Sequence, residues 1–525
     1  MTAYSIRKTL APLSRKIILA LTREKVLDAK KLQIIRNRMT KEAKETLPKN
    51  IELIEAYLKL AEEGKIKPNP NLIQLIQKRK VRTLSGIANI TVLTKDWGCP
   101  GECIFCPTEK GMPKSYLSSE PAMMRAVMNQ FDAYKQVKAR LNGLTAQGHD
   151  VSKIDIRIAG GTWSSIPHRY QTDFIAGIYR ALNEGPGKLR GKKDATLDKL
   201  IKKNETAKCR CVGLWVETRP DWVTPEDIKR WREFGITGVE LGVQTTDDKV
   251  NAYCKRGHGL KESIAATKLC RDAGLKICHH LMPNLPKANI KSDLKSGREL
   301  FGNEGLRPDY LKIYPCVVTP ISKLGKMVAE NPKAHKPYSD KQLIKLIADI
   351  KKTVPEYCRI IRIVRDIPAD SIMMGCKKSN LRQEIQKLGV ACRCIRCREI
   401  QDNPIKTTRL VIREYKANGG TEYFISVEEP NLDKIIGLCR LRLHKNGAIV
   451  RELHVYGRTE SLSKKTSVRS KSQHLGFGKQ LMTVAEKTAK KGGYKNLMII
   501  AAIGTREYYK KLGYRLEGTY MVKSL

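Results

Sequence analysis

Between residues 85 and 365, short apolar runs alternate with longer amphipathic stretches, and no other feature restricts the fold of this 525-residue chain as strongly. Strand-like runs fall at 87–92, 154–158, 212–216, 239–243, 277–281 and 310–313, with helical patterns between them, as at 225–234 and 260–273. Strands separated by helices pair in parallel and have both faces covered. The expected α/β architecture is therefore a full or partial (β/α) barrel, with its site in the loops at the carboxyl ends of the strands.

The loop after the first run carries the chemistry. It reads Cys99-Pro-Gly-Glu-Cys103-Ile-Phe-Cys106, a C-x3-C-x2-C spacing. Iron–sulfur clusters are held by thiolates, and three local ligands leave one corner of a four-iron cluster open. A structural zinc would want a fourth local ligand. Further along, Gly160-Gly161-Thr ends one run, Glu217-Thr-Arg219 a second and Gln244 a third. Polar groups at successive strand ends suit a ligand with amine, carboxylate and ribose.

Three other regions flank this one. Residues 1–82 are helical in pattern and basic, notably at Lys78-Arg79-Lys80-Val-Arg82. Residues 371–404 form a cysteine-rich connector. Residues 405–525 read as a strand meander, a glycine-rich turn, a helix and further strands. There Gln473-His-Leu-Gly476-Phe477-Gly478 precedes a helix, and glycines before a helix amino terminus make a phosphate cradle. The connector pair Cys394 and Cys397 is the chelating unit of a zinc site, with Cys316 and Cys376 expected to complete it and Cys392 as the alternative fourth ligand.

Charge bears on partners. Lysine and arginine number 99 against 53 acidic residues, a net +46, which points to nucleic acid. Fifteen cysteines in close clusters are read as metal sites in a reducing compartment, so a cytoplasmic protein is expected. No apolar run approaches the ~18 residues of a membrane span, and no membrane association is expected. Cys209, Cys211, Cys254, Cys270, Cys278, Cys358 and Cys439 have no ligand spacing and are expected to be buried.

The cysteine loop resembles that of the radical S-adenosylmethionine (SAM) superfamily. That resemblance implies a 4Fe-4S cluster whose open iron chelates SAM, and cleavage of SAM to a 5′-deoxyadenosyl radical. It assigns Gly160 and Gly161 to the SAM amino group, with Glu217, Arg219 and Gln244 as further cofactor contacts. The C-terminal region resembles the GCN5-related N-acetyltransferases (GNAT). This implies acetyl-CoA, with pantetheine along Leu453, His454, Val455 and Tyr456, pyrophosphate at Gln473 and Gly476 to Gly478, and Tyr508 or Tyr509 near the thioester.

Over essentially its whole length the chain resembles the Elongator catalytic-subunit family, in an archaeal-type stand-alone form. The resemblance implies a tRNA enzyme that attaches an acetyl-derived carboxymethyl group to carbon 5 of the wobble uridine, acting alone or as a homodimer. It also implies that Lys153 meets acetyl-CoA within the radical domain. Two other readings stay open on the residues alone: a protein lysine N-acetyltransferase with a structural cluster, and a non-catalytic tRNA-binding subunit.

Overall fold

The computed structural model describes residues 12–24, 28–77, 83, 85–191, 195–457 and 476–525. The basic segment Lys78–Arg82 and Gln473 lie outside the described residues.

Among the described residues four short helices come first: Pro12–Thr22, Ala29–Ala43, Asn50–Glu62 and Pro70–Ile76. Their apolar positions close into a core of their own around Leu13, Ile17, Ile18, Leu21, Leu53, Ile54 and Leu60. Asp28 and Asn69 cap two of these helices by accepting from main-chain amides of the first turn. The Pro68-Asn-Pro70 break thus starts a helix, since proline suits its first position.

The central sheet has seven parallel strands in the order of the sequence. They are β1 (Ala88–Leu93), β2 (Lys153–Ala159), β3 (Arg210–Thr218), β4 (Gly238–Gln244), β5 (Lys276–Leu281), β6 (Tyr310–Ile313) and β7 (Arg359–Ile363). Strands β1 and β7 remain the two edges, so the barrel is partial and has an open seam. Strand β2 explains the construction. Ile154, Ile156 and Ile158 are buried, while Lys153, Asp155 and Arg157 alternate with them on the other face. All seven cysteines without ligand spacing are buried.

The second sheet is mixed. Its strands are β8 (Arg409–Ala417), β9 (Gly420–Glu429), β10 (Lys434–His444), β11 (Gly447–Val455), β12 (Asn496–Ile499), β13 (Arg515–Glu517) and β14 (Tyr520–Ser524). Strands β11 and β12 run parallel but pair only from Ala448 to Val450. Beyond Val450, β11 continues alone on that side and the sheet splays open.

Buried charge joins the two sheets. Asp309, fully buried just before β6, accepts from Arg451 on β11 at 2.6 and 2.8 Å and faces Arg440 on β10 at 3.4 Å. Arg442 donates to Asp272 at 2.5 Å. Removing one member of such a network strands a buried charge at a cost of about 3–5 kcal/mol. These contacts fall at the amino ends of the barrel strands. Tyr310, first in β6, donates to Glu452, and Arg359, first in β7, donates to Tyr456 at 3.2 Å. A Cβ on Gly504 would lie 2.5 Å from that of Arg210, first in β3. The C-terminal sheet therefore caps the amino end of the barrel, and the cysteine loop lies at the carboxyl end. Among the described residues no helix is long and apolar enough to cross a membrane.

Candidate active site

Cys99, Cys103 and Cys106 line a cavity of about 490 Å3 at the carboxyl ends of the strands, together with Gly161, Glu217, Arg219 and Gln244. Arg256 donates to the Cys103 sulfur at 3.1 Å, and Arg219 approaches the same sulfur at 3.9 Å. A hydrogen bond from Cys106, opposed by burial and aided by Arg256 and Arg219, holds the Cys103 thiol down at about 5. Arg219 is itself clamped by Asp221 at 3.0 and 2.7 Å. Glycine at 101 makes room for this guanidinium, since a Cβ there would sit 1.9 Å from an Arg219 nitrogen.

The residues fit a thiolate-bound cluster with SAM beside it. Three soft sulfur donors stand on one wall. Gly160 and Gly161 take φ of 128° and 101°, and a Cβ on Gly160 would come 2.2 Å from the Thr94 hydroxyl oxygen. Across the cavity the buried Gln244 Oε1 has no hydrogen-bond partner, on a residue held at φ 71°. An orphaned acceptor facing a cavity is satisfied by a ligand donor.

An ion-pair cluster forms the floor of this cavity, which Arg157, Glu240, His280 and Lys312 also line. Glu240 takes charge-assisted contacts from Arg157, Lys312 and His280. Glu240, Cys278 and His280 also bring potential ligand atoms within 4.8 Å of one another. Two cations already on the carboxylate make this an ion-pair core rather than a metal site. Trp215, 2% exposed, closes the next layer against Tyr310, their ring centroids 5.2 Å apart. Gly238 leaves room for it, since a Cβ there would lie 2.4 Å from the indole.

Lys153 opens β2 at the amino end, in register with Arg210, so it stands on the side of the C-terminal sheet and away from the cysteines. Burial, then Arg210, lowers the pKa of its amine. Nearby, Gly476 takes φ 80° as the residue before the helix Phe477–Lys491. A Cβ on Gly478 would lie 2.7 Å from the Tyr508 hydroxyl. Tyr508 therefore faces the glycine loop and is 40% exposed, whereas Tyr509 is 6% exposed, its pKa raised by burial. The phenol beside the loop is Tyr508; Tyr509 packs between Tyr508 and Tyr514.

The connector corrects one expectation. Cys392, Cys394 and Cys397 bring their sulfurs within 4.8 Å of one another, and neither Cys316 nor Cys376 joins them. Cys316 packs with Ile104, Phe105 and Cys254, and the Val318–Met374 bridge brings Cys376 toward it. The physical reason is loop closure. A C-x-C-x2-C run closes on itself within six residues, at lower entropic cost than recruiting distant partners.

Sequence reasoning also missed Arg256, Tyr116 and Arg365. Tyr116 donates to Glu217 at 2.8 Å, and Arg365 lies over its ring, 4.5 Å from the centroid. None belongs to a spaced motif, and only the fold brings them to the cavity.

Comparison with known proteins agrees with this geometry. Family models match at residues 169–295 (Radical SAM superfamily), 308–388 (Radical_SAM C-terminal domain) and 394–514 (Acetyltransferase (GNAT) family). The first match begins after the cysteine loop, so that loop rests on its own spacing. A "tRNA uridine(34) acetyltransferase" of Methanocaldococcus infernus is 39% identical, over 95% of this chain and 96% of that protein. The chain belongs to the tRNA uridine(34) acetyltransferase family, which includes Elongator complex protein 3. Human "Elongator complex protein 3" is 34% identical over 91% of this chain and 94% of its own length. The solved structure "The archaeal Methanocaldococcus infernus Elp3 with N-terminus deletion (1-46)" superposes with a TM-score of 0.72 at 37% identity, covering 84% of this chain and all of that one. Membership in the tRNA uridine(34) acetyltransferase family bears out the radical SAM partial barrel and the C-terminal GNAT domain. It also establishes the chain as an acyltransferase.

Proposed function

We propose that the protein modifies tRNA, placing an acetyl-derived carboxymethyl group on carbon 5 of the wobble uridine, with acetyl-CoA as the acyl source. The observation that carries this reading is the pairing on one barrel: a three-thiol cavity at one end and a splayed GNAT strand with its glycine loop across the other. The family names point to the same substrate, and a net charge of +46 suits a polyanion.

A 4Fe-4S cluster with SAM supplies, when bound, the one-electron chemistry needed to activate an otherwise inert methyl group. The chain's own residues do the rest. Cys99, Cys103 and Cys106 hold the cluster, and Arg256 and Arg219 favour the Cys103 thiolate. Gly160, Gly161, Glu217, Arg219 and Gln244 orient SAM, with Tyr116 fixing Glu217. Leu453 to Tyr456 and Gly476 to Gly478 hold coenzyme A, and Lys153 stands ready for its acyl end. Tyr508 offers a proton to the departing thiolate. The uracil reaches the cavity by leaving its stack, at little cost in a single-stranded anticodon loop. Cys392, Cys394 and Cys397 hold a structural zinc, and the enzyme works in the cytoplasm.

Anaerobically reconstituted protein, given SAM, reductant, acetyl-CoA and tRNA, tests this. The expected products are 5′-deoxyadenosine and carboxymethylated uridine in the nuclease digest. Acetylated lysine with neither product would overturn the reading.

A further inference from the structure

We infer that Trp97 is a stacking platform for a nucleobase next to the wobble uridine, an assignment that rests on the proposed function. Of the chain's five tryptophans, Trp163, Trp215 and Trp231 are buried, while Trp97 and Trp222 are 40% and 37% exposed. Both exposed rings follow barrel strands at their carboxyl ends, the end that holds the cysteine cavity. A solitary exposed ring on a surface carries little meaning. Trp97 differs in being built into the rim of the site.

Trp97 comes two residues before Cys99, whose sulfur lies 3.6 Å from the Thr162 hydroxyl in the loop after β2. Asp96 accepts from the Gly98 amide at 2.9 Å, a side-chain turn that fixes the backbone around the ring. The indole meets Tyr170, in the first turn of the helix His168–Glu184, with centroids 5.1 Å apart and planes at 63°. Its N–H edge turns to the Tyr170 hydroxyl. Tyr170 packs in turn on Phe174, and Phe174 on the buried Trp163. A row of rings thus anchors Trp97 to the barrel core.

One indole face is open. Lys95 Nζ lies over the Trp97 ring, 4.2 Å from its centroid, and 5.5 Å from that of Tyr170. A cation and a ring on opposite faces of the indole would stand nearly the sum of their two distances apart. The observed separation is far shorter, so Lys95 covers one face, Tyr170 meets the edge, and neither reaches the second face. A fixed aromatic face beside a lysine suits single-stranded nucleic acid, because a base stacks on the ring while the cation meets the backbone. Drawing the uridine into the cavity takes it out of the stack and bares a face of each neighbouring base. Such a neighbour stays one backbone step from the cavity, at the rim where Trp97 stands.

Anticodon stem-loops carrying 2-aminopurine at either nucleotide beside the uridine are the probe, bound to the full-length, reconstituted protein. Trp97→Leu keeps apolar bulk against Tyr170 but offers no π face. It should weaken binding about ten-fold, and one of the two probes should fluoresce more brightly in its complex than in the wild-type complex. Trp97→Phe should keep most of the affinity and of the quenching. Iron content and the slope of affinity against salt should match wild type in both variants, since the cysteines and the phosphate contacts are untouched. Equal affinity and equal fluorescence in wild type and Trp97→Leu would overturn the assignment alone. Loss of iron from Trp97→Leu would also overturn it, making the ring a prop for the cysteine loop. Wild-type protein that binds no stem-loop would overturn the reading beneath it as well.

Discussion

The chain carries two cysteine triads, and they differ in what surrounds them. The connector triad, C-x-C-x2-C, draws its sulfurs within 4.8 Å of one another. That approaches the roughly 3.8 Å between ligands of a tetrahedral zinc–thiolate site. The loop triad, C-x3-C-x2-C, forms no such compact group and faces a cavity of about 490 Å3 bordered by arginines. Ligand count is the same in both, so spacing and open volume decide the chemistry. A tight triad closes on one ion and fixes the chain. A spread triad beside an open cavity accommodates a larger group and leaves room for a substrate.

Four experiments can break or sharpen this contrast. The largest effect belongs to Cys103→Ala, which should reduce 5′-deoxyadenosine formation to background while tRNA affinity persists, because that affinity is spread over many phosphate contacts. Equal loss of both would make the loop a binding element. Next, Asp309→Ala should lower unfolding stability by about 3–5 kcal/mol, because it leaves Arg451 and Arg440 buried with only Glu422 and Glu452 against them. Urea denaturation checks this, and a negligible change would mean that the Asp309 network adds little to the joint between the two sheets. Third, Cys394→Ala should remove one zinc per chain and lower the thermal midpoint, leaving iron content as in wild type; loss of iron instead would merge the two triads into one site. The smallest effect is expected of Gly101→Ala. Its methyl group displaces Arg219 from Cys103, an overpacking cost of about 1–3 kcal/mol, seen as slower SAM cleavage with iron retained.

Much of the barrel was legible because its strands carry apolar residues either in alternation, as in β2, or in a near-continuous run, as in β3. Strand β6 matches its run at both ends, and β1 to β5 differ by only a few residues. Two edge strands were not legible. In β7, the five residues Arg359-Ile-Ile-Arg362-Ile follow neither the alternating nor the continuous apolar pattern. In β8 an edge position leaves Leu410 and Ile412 exposed, with Arg409 before them and Arg413, Glu414 and Lys416 after. The loop cysteines and the glycine cradles could be read because their chemistry is local in sequence. Arg256, Tyr116 and Arg365 reach the cavity from three separate loops, and no spacing encodes that convergence. The connector shows the intermediate case: its C-x2-C pair is legible, but spacing alone does not favour Cys392 over two distant cysteines as the sulfur that joins it. Tyr508 and Tyr509 are adjacent in sequence, and only the helix turn decides which one meets Gly478.

The most direct test of the whole account is an electron paramagnetic resonance spectrum of the reduced, anaerobic protein before and after SAM is added. The account predicts a cubane signal, absent in Cys103→Ala, whose g values shift when SAM binds the open iron. A spectrum without such a signal, from protein that holds only zinc at Cys99, Cys103 and Cys106, would contradict it.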